Sequence, residues 1–147
     1  MEEVFSASFL SVLPFWLLMV FLPTWSMTER VVRSPWISAP AALIHAVLVV
    51  PRLPEVLAAV ANPELGSVAA LLGSPAGATI GWVHFLAFDL FVARWAYLDS
   101  RGPRINPFVM APILFVILML GPVGFLAYLV VRQALGSRAA VTKGAVL

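Results

Sequence analysis

Charge and cysteine are the scarcest features of this 147-residue sequence. Only 11% of its residues are charged, and lysine occurs once, at Lys143. The absence of cysteine excludes disulfides, thiolate metal sites and thiol nucleophiles. The scattered arginines give a formal net charge of only +2 and form no basic stripe, so we exclude nucleic-acid binding.

Apolar residues, in contrast, are abundant. Hydrophobic residues make up 62% of the chain and its mean hydropathy is +1.01, far above the range of water-soluble domains. In a bilayer every backbone polar group must be bonded internally, which favours helices. We therefore predict an all-α integral membrane protein with about four transmembrane helices in a compact bundle, surrounded by membrane lipid.

The charged residues leave four long uncharged runs, each able to supply a crossing of about 20 residues. The predicted crossings are 5–22, 37–50, 76–97 and 107–131. Asn62, Pro63 and Gly66 interrupt the segment 54–73, which predicts an interfacial connector, although a further membrane segment in 51–73 is left open. Since no repeat is present, we expect one domain, 1–147.

The start of the chain bears on processing, and the basic residues bear on orientation in the membrane. The acidic start at Glu2 and Glu3 is unlike a signal peptide, so the first run is expected to be a mature membrane helix. With four crossings the basic residues balance, four against four. One side has Arg30, Arg33, Arg101 and Arg104, and the other has Arg52, Arg132, Arg138 and Lys143. Arg94, near the Arg101 end, favours that end as cytoplasmic.

Ionisable side chains at membrane depth are costly and are therefore functional candidates. They are His45 on the second crossing and His84, Asp89 and Arg94 on the third. At about 100° per residue, Asp89 lies about 140° around the helix from His84, and Arg94 about a further 140°. We therefore expect the third helix to be surrounded by protein, with partners for these groups on other helices.

These residues could also have a purely structural role. The four groups could form hydrogen-bonded pairs that fix helix register without any chemistry, and His45 could be a satisfied structural histidine. Trp82 and Trp95, near the two ends of the third crossing, are more typical of an aromatic belt at the membrane interface than of a stacking platform.

The third crossing carries a recognisable motif. Trp82, His84, Asp89-Leu-Phe and Arg94 stand in a spacing that resembles the abscisic-acid-deficient-four (neoxanthin-synthase-like) family. The resemblance extends over most of the chain. Its other elements are Leu13, Pro14 and Trp16, then Pro23 and Trp25, and finally Gly121, Pro122 and Gly124.

The resemblance implies a small four-helix membrane protein. In plants this family is linked to the formation of neoxanthin from violaxanthin in the plastid envelope. This sequence has no serine- and arginine-rich transit peptide, which favours a bacterial inner membrane. We therefore expect a carotenoid or related isoprenoid ligand rather than the plant compound specifically. A homo-oligomer or an enzyme of carotenoid synthesis is the expected protein partner.

The implied reaction turns a carotenoid 5,6-epoxide into an allene, a redox-neutral isomerisation that needs an acid, a base and no cofactor. An unpaired carboxyl group at membrane depth is expected to stay protonated, which suits Asp89 as the acid. His84 would be the base, with His45 as a further candidate, and Arg94 would orient an oxygen. An Arg94 close to Asp89 would reverse the acid and base roles. The expected substrate pocket is lined by Trp82, Phe85, Phe88 and Trp95.

Three alternatives remain open at this point. His45 and His84 could ligate a haem from two crossings. The same pair with Asp89 could hold a mononuclear metal, which would require a distorted third helix. The bundle could also bind a pigment or lipid, or stabilise a partner enzyme, without catalysis.

Overall fold

A computed structural model describes the backbone of residues 1–144 and the side chains of residues 1–135. Throughout this part of the chain the regular structure is helical, and no strand occurs in it. The helices are α1 Glu2–Phe21, α2 Ser26–Arg33, α3 Ala39–Val49, α4 Leu53–Ala61, α5 Leu65–Gly73, α6 Pro75–Asp99, α7 Pro107–Leu120 and α8 Pro122–Gly144. Short 3-10 turns, Pro35–Ser38 and Val50–Arg52, precede α3 and α4.

Among the described residues, three helical segments are long and apolar enough to cross a membrane, so the chain is a membrane protein. They are Glu2–Phe21, Pro35–Ala61 and Pro75–Asp99. The second segment is longer than the predicted crossing 37–50, because the turn Val50–Arg52 leads directly into α4. Pro51 and Pro54 each lie at the start of a helical turn, where a proline removes no helical hydrogen bond.

The described residues form two compact units. Unit 1 contains residues 1–14 and 36–88, and unit 2 contains residues 15–35 and the chain from residue 89 onward. In unit 1, Leu48 packs with Ile80 and Val83 in a small core. The fully buried side chains of unit 2 include Leu90, Tyr97, Leu114, Ile117 and Tyr128.

The run predicted as a fourth crossing, 107–131, is two helices that meet at Gly121. With 14 residues, α7 is about 21 Å long, which is short of a hydrocarbon core of about 30 Å. Gly121 has a φ of +39° and ends α7, and α8 begins at the next residue. The two helices pack against each other, and a Cβ atom at Gly124 would lie 2.3 Å from the backbone nitrogen of Ile117.

Contacts along the second half of α6 show that α7 and α8 form a hairpin. The first residues of α7 line a small cavity with Tyr97 and Arg101, at the C-terminal end of α6. The hairpin turn at Gly121 lies beside Asp89, which is about 15 Å back along α6 from Asp99. From there α8 returns alongside α6. Phe125 contacts Trp95 in the middle of the return, and Tyr128 and Arg132 both contact Asp99 at its end. The hairpin therefore ends beside the C-terminal end of α6, where α7 begins.

Candidate functional site

Unit 1 brings together the two histidines of the chain. His45 of α3 and His84 of α6 have ring centroids 5.3 Å apart, with the rings tilted by 55°. Nδ1 of His45 lies 3.3 Å from the carbonyl oxygen of Ile80. A carbonyl oxygen can only accept, so this hydrogen bond places the His45 proton on Nδ1 and leaves Nε2 as a free acceptor. The pair thus offers one imidazole in a defined tautomer beside a second imidazole.

Two phenylalanines complete the surroundings of His84. Its ring lies 4.7 Å from that of Phe88 and 6.1 Å, edge-on, from that of Phe85. His84 is exposed, and both phenylalanines are 59% exposed. The described residues of this chain therefore do not surround His84, contrary to the expectation for every ionisable group of this helix. The polar neighbour of His84 is the imidazole ring of His45.

The tryptophans predicted to line the pocket have separate settings. Trp82 stacks on Phe5 of α1 with centroids 5.0 Å apart, and its buried indole N–H has no acceptor among the described residues. Trp95, in unit 2, makes edge-on contacts with Phe125 and Tyr128. Only Phe85 and Phe88, of the four predicted pocket residues, therefore contact a candidate catalytic side chain.

Asp89 is the polar group at the turn of the α7–α8 hairpin. Its half-buried carboxyl group lies against Gly121, where an added Cβ atom would come within 2.7 Å of Oδ1. No side chain of the described residues forms a hydrogen bond or ion pair with this carboxyl group. The helix α8 begins immediately after Gly121, at Pro122, which has no N–H group to donate. Asp89 is therefore an unpaired carboxyl group beside a helix start.

Arg94 is occupied with the end of α2. Its Nε donates to the carbonyl oxygen of Val32 at 2.8 Å, and its Nη2 donates to that of Arg33 at 2.5 Å. The last carbonyl groups of a helix receive no hydrogen bond from within the helix, and the guanidinium of Arg94 donates to them instead. The contact with Asp89 that would have reversed the acid and base assignments does not occur.

The model of the ABA DEFICIENT 4-like family matches residues 3–128, most of the chain. This chain belongs to the ABA DEFICIENT 4-like family. The family predicted from the residues of α6 is thereby confirmed, and the match includes both histidines, Asp89, Arg94 and the hairpin turn.

A curated relative of this family member is Protein ABA DEFICIENT 4, chloroplastic, from Arabidopsis thaliana. The two are 28% identical over 144 residues, which cover 93% of this chain. The chain spans 64% of the length of that relative. No solved structure matches this chain.

Sequence reasoning missed a polar network in unit 2 of this family member. Tyr128 donates its hydroxyl proton to the carboxylate of Asp99, and Arg132 forms an ion pair with the same group. Nearby, Tyr97 donates to the carbonyl oxygen of Pro23 at 2.6 Å, and Arg101 donates to the same carbonyl and to the hydroxyl of Tyr97. A usable signal was present, since a tyrosine hydroxyl inside an apolar helix needs a partner.

The histidine pair is also where the cofactor alternatives would be placed. Among the described residues, no three histidine, aspartate or glutamate side chains converge closely enough to hold a metal ion. His45 and His84 would supply two imidazole ligands to such a group. The absence of a cofactor stays a prediction, with haem and a mononuclear metal as its alternatives.

Proposed function

We propose that this protein takes up a carotenoid or related isoprenoid from the membrane and isomerises it by acid–base catalysis. Membership of the ABA DEFICIENT 4-like family supports a role in this chemistry, and the name of the Arabidopsis relative connects that protein with abscisic acid and the chloroplast. The bacterial inner membrane, and a second copy or a pathway enzyme as partner, stay predictions from the sequence.

The observation that carries the proposal is the His45–His84 pair on an exposed surface of unit 1. A polar group that faces hydrocarbon is costly unless it has a partner. A membrane-dissolved ligand with an oxygenated end group would supply that partner without first entering water. The exposed rings of Phe85 and Phe88 next to His84 would pack against its polyene chain.

The proposed reaction balances without a redox partner. A proton from the acid goes to the epoxide oxygen, the carbon–oxygen bond breaks, and the base removes one proton from the polyene to give an allene. Asp89 is assigned as the acid and His84 as the base. His45, with its proton on Nδ1, would orient His84 or accept the proton through Nε2. Each positioned acid or base contributes about 10²- to 10⁴-fold to such a rate.

The test compares Asp89→Asn and His84→Ala with the unchanged protein. Each is expressed in a host that makes epoxidised carotenoids, and extracted pigments are separated by chromatography and mass spectrometry. We expect the unchanged protein to yield a product of the same mass as its substrate, and both variants to lose about 100-fold or more of it at normal abundance. Glu55→Gln, an exposed carboxyl-to-amide change on α4, is the matched control and should keep full activity.

Other outcomes contradict the proposal in recognisable ways. Bound carotenoid whose composition does not depend on Asp89 or His84 would indicate a pigment-binding protein without catalysis. A sharp Soret band would indicate haem, and loss of activity with a chelator would indicate a metal. A purified protein without any bound isoprenoid would contradict the proposal that a carotenoid or isoprenoid is the ligand.

A further inference from the structure

Arginines gather at one end of unit 2. Six are described there: Arg30, Arg33, Arg94, Arg101, Arg104 and Arg132. Arg132 pairs with Asp99 at the C-terminal end of α6, and Arg101 bonds to Tyr97 on the last turn of the same helix. Because Arg94 bonds to the end of α2, the arginines of α2 belong to the same region.

This arrangement corrects the balance of charges expected from four crossings. Arg132 was predicted to lie on the side opposite Arg101, yet its ion pair with Asp99 places it at the same end of α6. The physical reason is the hairpin, which returns α8 to the end where α7 began. Arg138 and Lys143, the other two basic residues concerned, lie outside the described side chains.

Few carboxylates neutralise these arginines. Glu29 forms an ion pair with Arg33, and the hydrogen bond and charge of Arg33 lower the pKa of Glu29, to which the nearby charge of Arg101 adds. Glu29 therefore stays ionised near neutral pH and offsets one arginine, as Asp99 offsets Arg132. In the described part of the chain, no carboxylate forms an ion pair with Arg30 or Arg104, and both are exposed.

The pattern of buried and exposed residues on α2 is typical of a helix at a membrane surface. Thr28 and Val32 are buried on one face of the helix, whereas Arg30 and Arg33 are exposed on the other. Trp25, half exposed, stands immediately before the helix. A short amphipathic helix with a tryptophan at its start and arginines on its outer face is typical of the lipid headgroup region.

We propose that Arg30 and Arg104, supported by Arg101, form a binding surface for the phosphate groups of anionic phospholipids. Arg30 and Arg104 are exposed and have no ion-pair partner among the described residues. Arginine is also the side chain whose planar donors suit phosphate best. Each such residue near an anionic leaflet contributes attraction equivalent to about 5-fold in lipid partition. This inference does not depend on the carotenoid proposal.

The test measures lipid retained by the full chain. Protein expressed in a bacterial host is purified in a mild non-ionic detergent, and its phosphatidylglycerol, cardiolipin and phosphatidylethanolamine are quantified by mass spectrometry. We expect the two anionic lipids to be enriched over their share of the host membrane. The double variant Arg30→Gln/Arg104→Gln should retain at least about 5-fold less of them, and about 25-fold less where the two contributions add. Washing in 1 M salt should also release them.

Two matched variants keep the test decisive. Arg52→Gln, in unit 1, removes one positive charge elsewhere and should leave retention unchanged, whereas Arg30→Lys/Arg104→Lys should keep most of it. Equal loss from Arg52→Gln, or no enrichment in the unchanged protein, would overturn the proposal. Displacement of the lipid by millimolar inorganic phosphate would instead indicate a site for the free anion, and co-purifying nucleic acid would indicate a different polyanion.

Discussion

Gly121 shows at the scale of a single residue how closely the hairpin turn approaches α6. Its φ of +39° is a conformation that residues with a Cβ atom rarely adopt, and its Cα faces the carboxyl group of Asp89. A side chain here would both strain the backbone and push against Asp89. The turn and the candidate acid therefore depend on one another.

Gly121→Ala is predicted to destabilise the protein by roughly 1–3 kcal/mol, from backbone strain together with the close approach to Asp89. Thermal unfolding in detergent measures the change. Gly66→Ala is the matched control, because an added Cβ atom at Gly66 meets nothing within 4 Å and alanine favours the helix α5. Equal stability of the two variants would mean that the turn is not packed against Asp89 as described.

The candidate residues could be found from the sequence, but their partners could not. His84, Asp89 and Arg94 stand out because charge is rare in an apolar run, which is a property of the sequence alone. Which oxygen Arg94 bonds to depends on where α2 ends in space, some 60 residues earlier in the chain. The exposure of His84 likewise depends on how much of α6 its neighbours cover, which a helical wheel does not contain.

Arg94 has its main effect at the scale of a secondary-structure element, because it closes the C-terminal end of α2. An eight-residue helix is too short to be stable by itself in water, so it depends on such tertiary contacts. The planar guanidinium reaches the carbonyl oxygens of two successive residues, Val32 and Arg33, which a lysine ammonium cannot do in the same geometry.

Arg94→Lys is therefore predicted to loosen α2 while keeping the charge. Hydrogen exchange of the backbone amides of residues 26–33 should become roughly tenfold faster, the equivalent of losing about one charged hydrogen bond. Arg104→Lys, an exposed position of the α6–α7 turn, serves as the control and should leave exchange in α2 unchanged. Unaltered protection in Arg94→Lys would show that α2 is held by other contacts.

The sequence was informative about helices and uninformative about their path. The ends of α1 and α6 lie within three residues of the predicted crossings, since charged residues and prolines bound both apolar runs. The run 107–131 has the hydropathy of a single crossing, and hydropathy is the same whether a chain crosses or turns back. Only Gly121-Pro122 marked the turn, and a glycine–proline pair inside a membrane helix is equally compatible with a kink.

At the scale of the whole molecule, the hairpin changes how charge is distributed along the chain. Because α8 returns to the end of α6 from which α7 starts, Arg101, Arg104 and Arg132 all lie at that same end. The connection before α6 carries Glu64 and no basic residue. Because basic residues concentrate on the cytoplasmic side of membrane proteins, the α6–α7 turn and the end of α8 are predicted to be cytoplasmic.

The absence of cysteine makes this topology directly measurable. Single cysteines at Asn62, Gly102 and Ala134, all exposed positions, can be labelled in intact cells with a membrane-impermeant maleimide. We expect labelling of Asn62→Cys from outside, and labelling of Gly102→Cys and Ala134→Cys only after the cells are opened. Gly102 and Ala134 reacting on opposite sides would mean that 107–131 crosses the membrane and that the hairpin is wrong. If all three responses were reversed, the hairpin would stand, but the arginine-rich end would face outward and would no longer meet the anionic cytoplasmic leaflet.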